Sequence, residues 1–359
     1  MFWKSRGLNL FVYLMVVSIF IVGCGNSGEE GTASSSENSK SDQTESEAVT
    51  NEDGDQEQYE IKLGTVFGDA EPVNEYAREA AERINEKTDG AVTIEVYPDS
   101  TLGSNVDTFE QIQSGAAVIG HGDPGYYQEW VPDIGVLQGP YLVDEPEEYN
   151  KLLESEWYED VSGQMADEGL TVLAFNWILG DRHMISDKEI RSPEDLSGSS
   201  VRISPNTMWR ETISAMGGTP DELEWSEVYT ALSSGVVDAA EAPLETIYTS
   251  SLHESADTLS LTGHFKAISG FVIGTDYFES MPEEYQDIIM EEFKKSGEDV
   301  TESIYSEEDE WIKTFESEGV NVVDDVDTEA FKEATKDVYN QFDEWSPGLY
   351  EEVQDILEE

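Results

Sequence analysis

The chain has 359 residues, of which 79 are Asp or Glu and only 19 are Lys or Arg, giving a formal net charge of −60. This charge argues against a nucleic-acid partner, because neutralising phosphates requires Lys and Arg. One cysteine excludes an internal disulfide framework and a cysteine-based zinc site, and the four histidines show no metal-ligand spacing. We therefore expect no metal and no cofactor. The hydrophobic share of 38% is sufficient for packed cores.

A targeting segment is predicted at residues 1–24. Lys4 and Arg6 precede an apolar run of 15 residues, Leu8–Val22. The run is shorter than the roughly 20 residues that span a bilayer, and it has the length of a signal-peptide core. The junction that follows, Ile21-Val22-Gly23-Cys24, resembles a bacterial lipobox, in which the cysteine becomes the lipid-modified first residue. A stray cysteine in an ordinary signal peptide or anchor is the alternative.

Residues 25–60 are rich in Ser, Gly, Glu and Asp, and we interpret them as a disordered acidic tether. The folded body should begin near Ile61. Residues 61–359 carry 68 acids and 16 bases, spread over every predicted helix. This pattern indicates a surface adapted to high salt, where the Debye length falls to about 3 Å at 1 M. An unusually acidic protein from an ordinary environment is the alternative.

Strands and helices alternate along the predicted body. We predict strands at 61–66, 91–96, 116–119, 170–175, 200–204, 236–239 and 266–273, and helices at 74–85, 108–113, 208–216, 225–233, 282–318 and 327–341. Gly-rich loops follow several of the strands. The pattern favours an α/β protein, and in open α/β sheets ligands bind beyond the carboxyl ends of the strands.

A series of short motifs occupies residues 180–246. They are Gly180-Asp181-Arg182, Ser192-Pro193-Glu194-Asp195-Leu196, Val201-Arg202-Ile203, Gly217-Gly218-Thr219-Pro220, Trp225-Ser226-Glu227 and Gly235-Val236-Val237-Asp238. In this order they resemble the extracytoplasmic solute-binding proteins of TRAP (tripartite ATP-independent periplasmic) transporters, the DctP family. The likeness covers nearly all of 61–345.

The resemblance implies a two-lobe fold like that of periplasmic binding proteins, with a long helix joining the lobes and a ligand cleft between them. On this basis we place lobe I at 61–180 plus 268–305 and lobe II at 181–267 plus 306–359. These boundaries are an expectation from the family pattern.

The resemblance also implies a ligand site. Arg202 matches the arginine that binds a ligand carboxylate through two parallel charge-assisted hydrogen bonds, and Arg182 matches a second arginine found in many members. Trp225 falls where members often have an aromatic that stacks on the ligand. Asp123 falls in the loop after the third strand, where others place a polar contact, and Phe67 lies in the first loop. A surface ion pair for each arginine and a core position for Trp225 are the alternatives.

These observations predict the solute-binding subunit of a TRAP transporter, which captures a small organic acid and delivers it to the small and large permease subunits. The protein is expected to be extracytoplasmic, held on the outer face of the cell membrane by a lipid anchor, and not to be an enzyme. Ligand identity stays open, because Ala242 stands where many members have asparagine. Alternatives are a receptor for a signalling system, a binder of a zwitterionic compatible solute such as ectoine, and an extracellular hydrolase.

We expect the folded body to require salt. Repulsion among the acids of residues 61–359 should weaken the compact state at low ionic strength, and screening should restore it. The melting temperature should therefore rise between about 0.05 and 2 M KCl. A melting temperature that is flat or falls over this range would contradict the expectation.

Overall fold

The structure is a computed structural model that describes residues 57–359. The predicted targeting segment with Cys24, and the tether up to residue 56, lie outside the described residues. No helix within residues 57–359 is long and apolar enough to cross a membrane.

A single mixed sheet forms the centre of the described chain. Its nine strands are β1 Tyr59–Gly64, β2 Val92–Tyr97, β3 Val118–Gly122, β4 Leu170–Ser186, β5 Ser200–Ile203, β6 Thr219–Glu222, β7 Ala239–Pro243, β8 Thr258–Gly274 and β9 Asn321–Val323. Their order is β2-β1-β3-β8-β4-β7-β5-β6, with β9 beside β8. Strands β1 to β3 are parallel to each other, as are β5 to β7, and β4 runs antiparallel to β7 and β8. The predicted α/β class is confirmed.

Helices cover both faces of this sheet. They are α1 Pro72–Lys87, α2 Asn105–Gln113, α3 Pro124–Tyr127, α4 Tyr149–Leu153, α5 Glu156–Asp167, α6 Pro193–Leu196, α7 Thr207–Ala215, α8 Val228–Ser233, α9 Leu244–Thr249, α10 Thr275–Glu279, α11 Glu283–Glu318, α12 Thr328–Thr335 and α13 Leu349–Glu358. The helix predicted at 225–233 begins with a separate 3-10 turn, Trp225–Glu227, and the one predicted at 327–341 ends at Thr335.

Two long strands run through both halves of the sheet. β4 and β8 have 17 residues each, far more than the predicted 170–175 and 266–273. Their pairing contains register shifts, one of them between Ile178 and Asp181, next to Gly180 with its left-handed φ of 99°. Such bulges interrupt the alternation of side chains. The sequence pattern therefore shows only a part of each strand.

The long predicted helix is confirmed as α11, which packs against β4 and α1. Gly297 makes this close approach possible, because a Cβ there would lie 2.5 Å from the side-chain oxygen of Asn176. The indole nitrogen of Trp177 on β4 donates to the carbonyl of Phe293 on α11 at 3.0 Å. The helix is thus fixed to the strand that crosses the sheet. The residue boundaries of the two lobes stay a prediction.

Candidate functional site

A pocket lies where the carboxyl ends of strands from both halves of the sheet meet. Phe67 follows β1 and Asp123 follows β3 on one half, while Arg202 lies near the end of β5 on the other. Arg182 comes from the middle of β4, which both halves share. Four of the five predicted side chains line the pocket, Phe67, Asp123, Arg182 and Trp225. The fifth, Arg202, lies behind the ring of Trp225, its guanidinium carbon 5.2 Å from the ring centre.

Arg202 has one edge of its guanidinium group occupied and the other open. Its Nε and Nη2 both donate to the carbonyl of Leu223, at 2.9 and 2.6 Å. Its Nη1 is buried and makes no hydrogen bond to a described residue. The side chain is 1% exposed, and burial lowers the pKa to about 10, so it stays charged at neutral pH. The Nη1 end of the group is thus a buried donor without a partner among the described residues.

Arg182 is held by a buried acid. Its Nε donates to one carboxylate oxygen of Glu241 on β7, and its Nη2 donates to the other at 2.9 Å and to the Glu241 carbonyl at 3.0 Å. Trp209 lies under the guanidinium group, 4.4 Å from ring centre to Cζ. Both members of the ion pair are buried, with Glu241 at 0% exposure. The charge of Arg182 is therefore compensated within the protein.

His264 lies beside the same ion pair. Its Nε2 is 3.7 Å from the Glu241 carboxylate, and its Nδ1 lies 2.9 Å from the hydroxyl of Thr262. Burial holds its pKa well below the usual value, so the ring is neutral. Burial likewise lowers the pKa of His121, in the pocket wall, to about 3. The histidines near the pocket consequently add no charge at neutral pH.

Asp123 is the acid of the pocket. Burial is the main cause that raises its pKa to about 6, while the charge of Arg182 acts in the opposite direction. Glu241 raises the pKa further, and a hydrogen bond with Gln138 and the charge of Arg202 lower it. Asp123 therefore changes its charge close to neutral pH, directly in the pocket.

Two aromatic side chains meet across the pocket. Phe67 comes from the loop after β1 and Trp225 from the 3-10 turn before α8, and their ring centres are 6.2 Å apart. Phe67 also touches His121 edge to face, at 5.6 Å. The pair forms an apolar part of the pocket lining.

Glu71 joins the two halves beside the pocket. It stands just before α1, is 3% exposed, and accepts hydrogen bonds from the hydroxyls of Thr246 and Thr249 on α9. Burial raises its pKa. Thr246 also lines the pocket, so this contact holds α9 in place at the pocket wall.

Sequence reasoning missed several side chains of the pocket, Asn105, His121, Tyr126, Ser204, Trp209 and Thr246. One of them had a readable signal: Ser204 follows Arg202 by two residues, and side chains two apart lie on the same face of a strand. Trp209 had none, since an aromatic on a helix is ordinarily a core residue. Glu241 was part of a motif noted for its missing asparagine, and its role as the partner of Arg182 was not foreseen. No group of side chains suited to a metal ion occurs within residues 57–359.

The arrangement is that of a binding protein, with a pocket between the two halves of one sheet. Comparison with known proteins identifies the family: the model described as bacterial extracellular solute-binding protein, family 7 (DctP), matches residues 63–344. The chain belongs to this family. The predicted family is confirmed, and with it the extracytoplasmic solute-binding role in TRAP transport. The family comprises transport binding proteins, which agrees with the expectation that the chain is not an enzyme.

Solved structures agree with this assignment. A TRAP periplasmic solute-binding protein from Ochrobacterium anthropi, with bound L-fuconate, is 34% identical with a TM-score of 0.81, over 84% of this chain and 99% of that one. One from Actinobacillus succinogenes, with bound L-galactonate, is 34% identical with a TM-score of 0.80, over 83% and 99%. These likenesses confirm the two-lobe fold. Among sequences, the ectoine-binding periplasmic protein TeaA of Halomonas elongata is 30% identical, over 67% of this chain and 72% of TeaA.

The charge of Asp123 should make anion binding depend on pH. A carboxylate ligand repels ionised Asp123 and tolerates the protonated form, so binding takes up a proton. Affinity for a carboxylate ligand should therefore fall as the pH rises through about 6, by up to about tenfold for each pH unit. Titration calorimetry between about pH 5 and pH 8 measures this.

Asp123→Asn is the matched variant, because it keeps the size of the side chain and removes the titrating proton. It should bind the same carboxylate ligand with nearly constant affinity over the same range, and more tightly than the wild type at the alkaline end. Equal pH profiles for the two proteins would contradict the assignment of the proton to Asp123.

Proposed function

We propose that this protein binds a small hydroxylated carboxylate, such as a sugar acid, in the pocket between the two halves of its sheet and delivers it to TRAP permease subunits. The observation that carries the proposal is the open end of the Arg202 guanidinium group, buried and without a hydrogen-bond partner at Nη1. A buried donor left without a partner costs free energy, so the site is suited to a ligand that supplies acceptor oxygens.

The other pocket groups fit the remainder of such a ligand. Tyr126 and Ser204 on the polar side and Thr246 on α9 offer hydroxyls for the hydroxyls of a sugar acid. In this assignment Trp225 and Phe67 pack on its apolar carbon face, and Asp123 accepts from its hydroxyls. The L-fuconate and L-galactonate bound to the two similar structures support this ligand class.

Arg182 has a lesser role in the proposal. Because Glu241 takes its Nε and Nη2 hydrogens, Arg182 reaches the pocket with Nη1 alone and adds no net charge. It orients the pocket wall through its stacking on Trp209 and offers one donor edge to the ligand.

A zwitterionic solute is the second candidate. With Arg182 and Glu241 paired, the remaining charges at the pocket are Arg202 and Asp123, one of each sign. This balance suits a ligand that carries both a carboxylate and a cation, and the ectoine-binding relative TeaA supports it. Asp123→Asn separates the two candidates, because it should weaken a zwitterion and leave or strengthen a sugar acid.

Delivery to a permease and the lipid anchor complete the proposal. The family role supports the small and large TRAP membrane subunits as partners. We propose that Cys24 carries a lipid that holds the protein on the outer face of the membrane. A sensor partner in place of a permease is the alternative, and genes for TRAP membrane subunits beside this one would favour transport.

Arg202 should be the main anchor of the ligand. A thermal-shift screen with L-fuconate, L-galactonate, D-gluconate and ectoine identifies the best probe, since a ligand at 100 times its Kd stabilises by about 2.7 kcal/mol. Arg202→Ala should then weaken this probe by about 2–5 kcal/mol, or roughly 30- to several-thousand-fold in Kd. Arg202→Lys keeps the charge and loses the planar guanidinium edge, so its affinity should lie between that of the wild type and that of Arg202→Ala. Titration calorimetry measures all three proteins.

Arg210→Ala serves as the control for the loss of an arginine. Arg210 lies on α7 and pairs at 3.0 Å with Glu222, outside the pocket. Its removal should leave the affinity within about twofold, as expected for an exposed ion pair. If Arg202→Ala also binds within about threefold of the wild type, the site lies elsewhere and the proposal is wrong.

Cys24→Ser should release the protein from the membrane. Without the thiol there is no attachment point for lipid, and a short apolar segment alone does not anchor a chain stably. Fractionation of cells that express the wild type and the variant measures the membrane-bound share. Retention of the variant at the membrane would contradict the lipid anchor while leaving the solute-binding proposal intact.

A further inference from the structure

A second cavity adjoins the ligand pocket. It is partly open to solvent, and Val66 and Trp225 line both cavities. We call it the side chamber, and the polar residues that line it are Asp99, Ser100, Ser226, Tyr229, Thr249 and Ser250. The first two follow β2 on one half of the sheet, and the other four belong to the opposite half. The side chamber is therefore lined by both halves of the sheet, as the ligand pocket is.

The backbone around the side chamber is held in an unusual conformation. Five non-glycine residues of the described chain have a positive φ, and three of them are Asp99, Ser100 and Ser251, with φ of 56°, 54° and 55°. The first two line the chamber, and Ser251 stands between two of its lining residues. A left-handed backbone strains non-glycine residues, and such residues cluster at functional sites. Three such residues at one cavity indicate that the fold holds the wall of the side chamber in a specific conformation.

The lining groups define which chemistry the side chamber accepts. The hydroxyls of Ser100, Ser226 and Ser250 make no hydrogen bond to another described residue, and among the described lining residues there is no Lys or Arg. Tyr229 is 44% exposed, which leaves a ring face open for packing. The Asp99 carboxylate is an acceptor for hydroxyl groups. Free hydroxyls, one acid and one open ring suit a neutral sugar, whereas a second anion would meet only negative charge.

We infer that the side chamber is a second subsite, which takes an uncharged glycosyl group attached to a carboxylate ligand. The inference rests on the proposed function, because the carboxylate end occupies the pocket at Arg202. The link between the two sugar units passes Trp225 and Val66, which border both cavities. The second unit packs on Tyr229 and exchanges hydrogen bonds with the serine hydroxyls. The preferred ligand class is thus a disaccharide acid.

The matched probes are D-gluconate and lactobionate, which is gluconate carrying one galactosyl group. Titration calorimetry should give lactobionate a Kd equal to or lower than that of gluconate on the wild-type protein. Tyr229→Ala should weaken lactobionate about tenfold and change gluconate by less than about twofold. Tyr229→Phe keeps the ring and should retain lactobionate within about twofold. Because Tyr229 is exposed, these variants should keep the wild-type melting temperature.

The outcomes separate this inference from the proposed function. If gluconate binds and lactobionate does not, or if Tyr229→Ala weakens both probes equally, the side chamber is only an entrance and the inference is overturned while the proposed function stands. If Arg202→Ala leaves gluconate binding unchanged, or if the wild type binds neither probe, the sugar-acid proposal fails and the second subsite fails with it.

Discussion

The buried ion pair between Arg182 and Glu241 fixes both the centre of the sheet and the charge of the pocket. Arg182 lies on β4, which crosses both halves, and Glu241 lies on the neighbouring β7. Both side chains are buried, and losing one partner of such a pair costs about 3–5 kcal/mol because the other charge stays uncompensated. Trp209 packs beneath the guanidinium group, and neutral His264 lies beside the carboxylate. Neither adds a charge that would disturb the balance of the buried pair. The pair must persist whole, so Arg182 cannot supply net charge to a ligand.

In the proposed function, this constraint makes Arg202 the cation that binds the ligand carboxylate, in residues 61–359 with 68 acids and 16 bases. Its burial removes the water that would screen it, which strengthens its attraction for a carboxylate. The carbonyl of Leu223 holds one edge of the group and thereby fixes the direction of the open edge. A flexible surface arginine would instead pair with one of the many exposed acids. Attraction of an anion to a strongly acidic protein thus depends on a cation that the fold itself has oriented.

The sequence allowed the α/β class and the long helix to be predicted, because these depend on periodicity and on short motifs. The ligand role of the five candidate residues stays a prediction, although four of them line one pocket. The features that could not be predicted from the sequence depend on contacts between distant segments. The salt bridge from Arg182 to Glu241 spans 59 positions, and nothing local distinguishes Glu241 from the other acids. The length of β4 was hidden by bulges near Gly180 that break the alternation of side chains. The strand predicted at 236–239 is found at Ala239–Pro243. The residues of this observed strand are mostly small and have little intrinsic strand preference, so its position depends on pairing with β4.

The selectivity of the site follows from how few charges the fold leaves uncompensated. With Arg182 cancelled by Glu241, the state of Asp123 alone decides whether the pocket presents a cation or a balanced pair of charges. Its burial places this change near pH 6, since the desolvation that raises its pKa outweighs the attraction of the arginines. In the proposed function, protonated Asp123 therefore favours an acid as the ligand, and ionised Asp123 favours a zwitterion. Phe67 and Trp225, the apolar part of the pocket lining, do not titrate, so only the charge of Asp123 changes over this pH range.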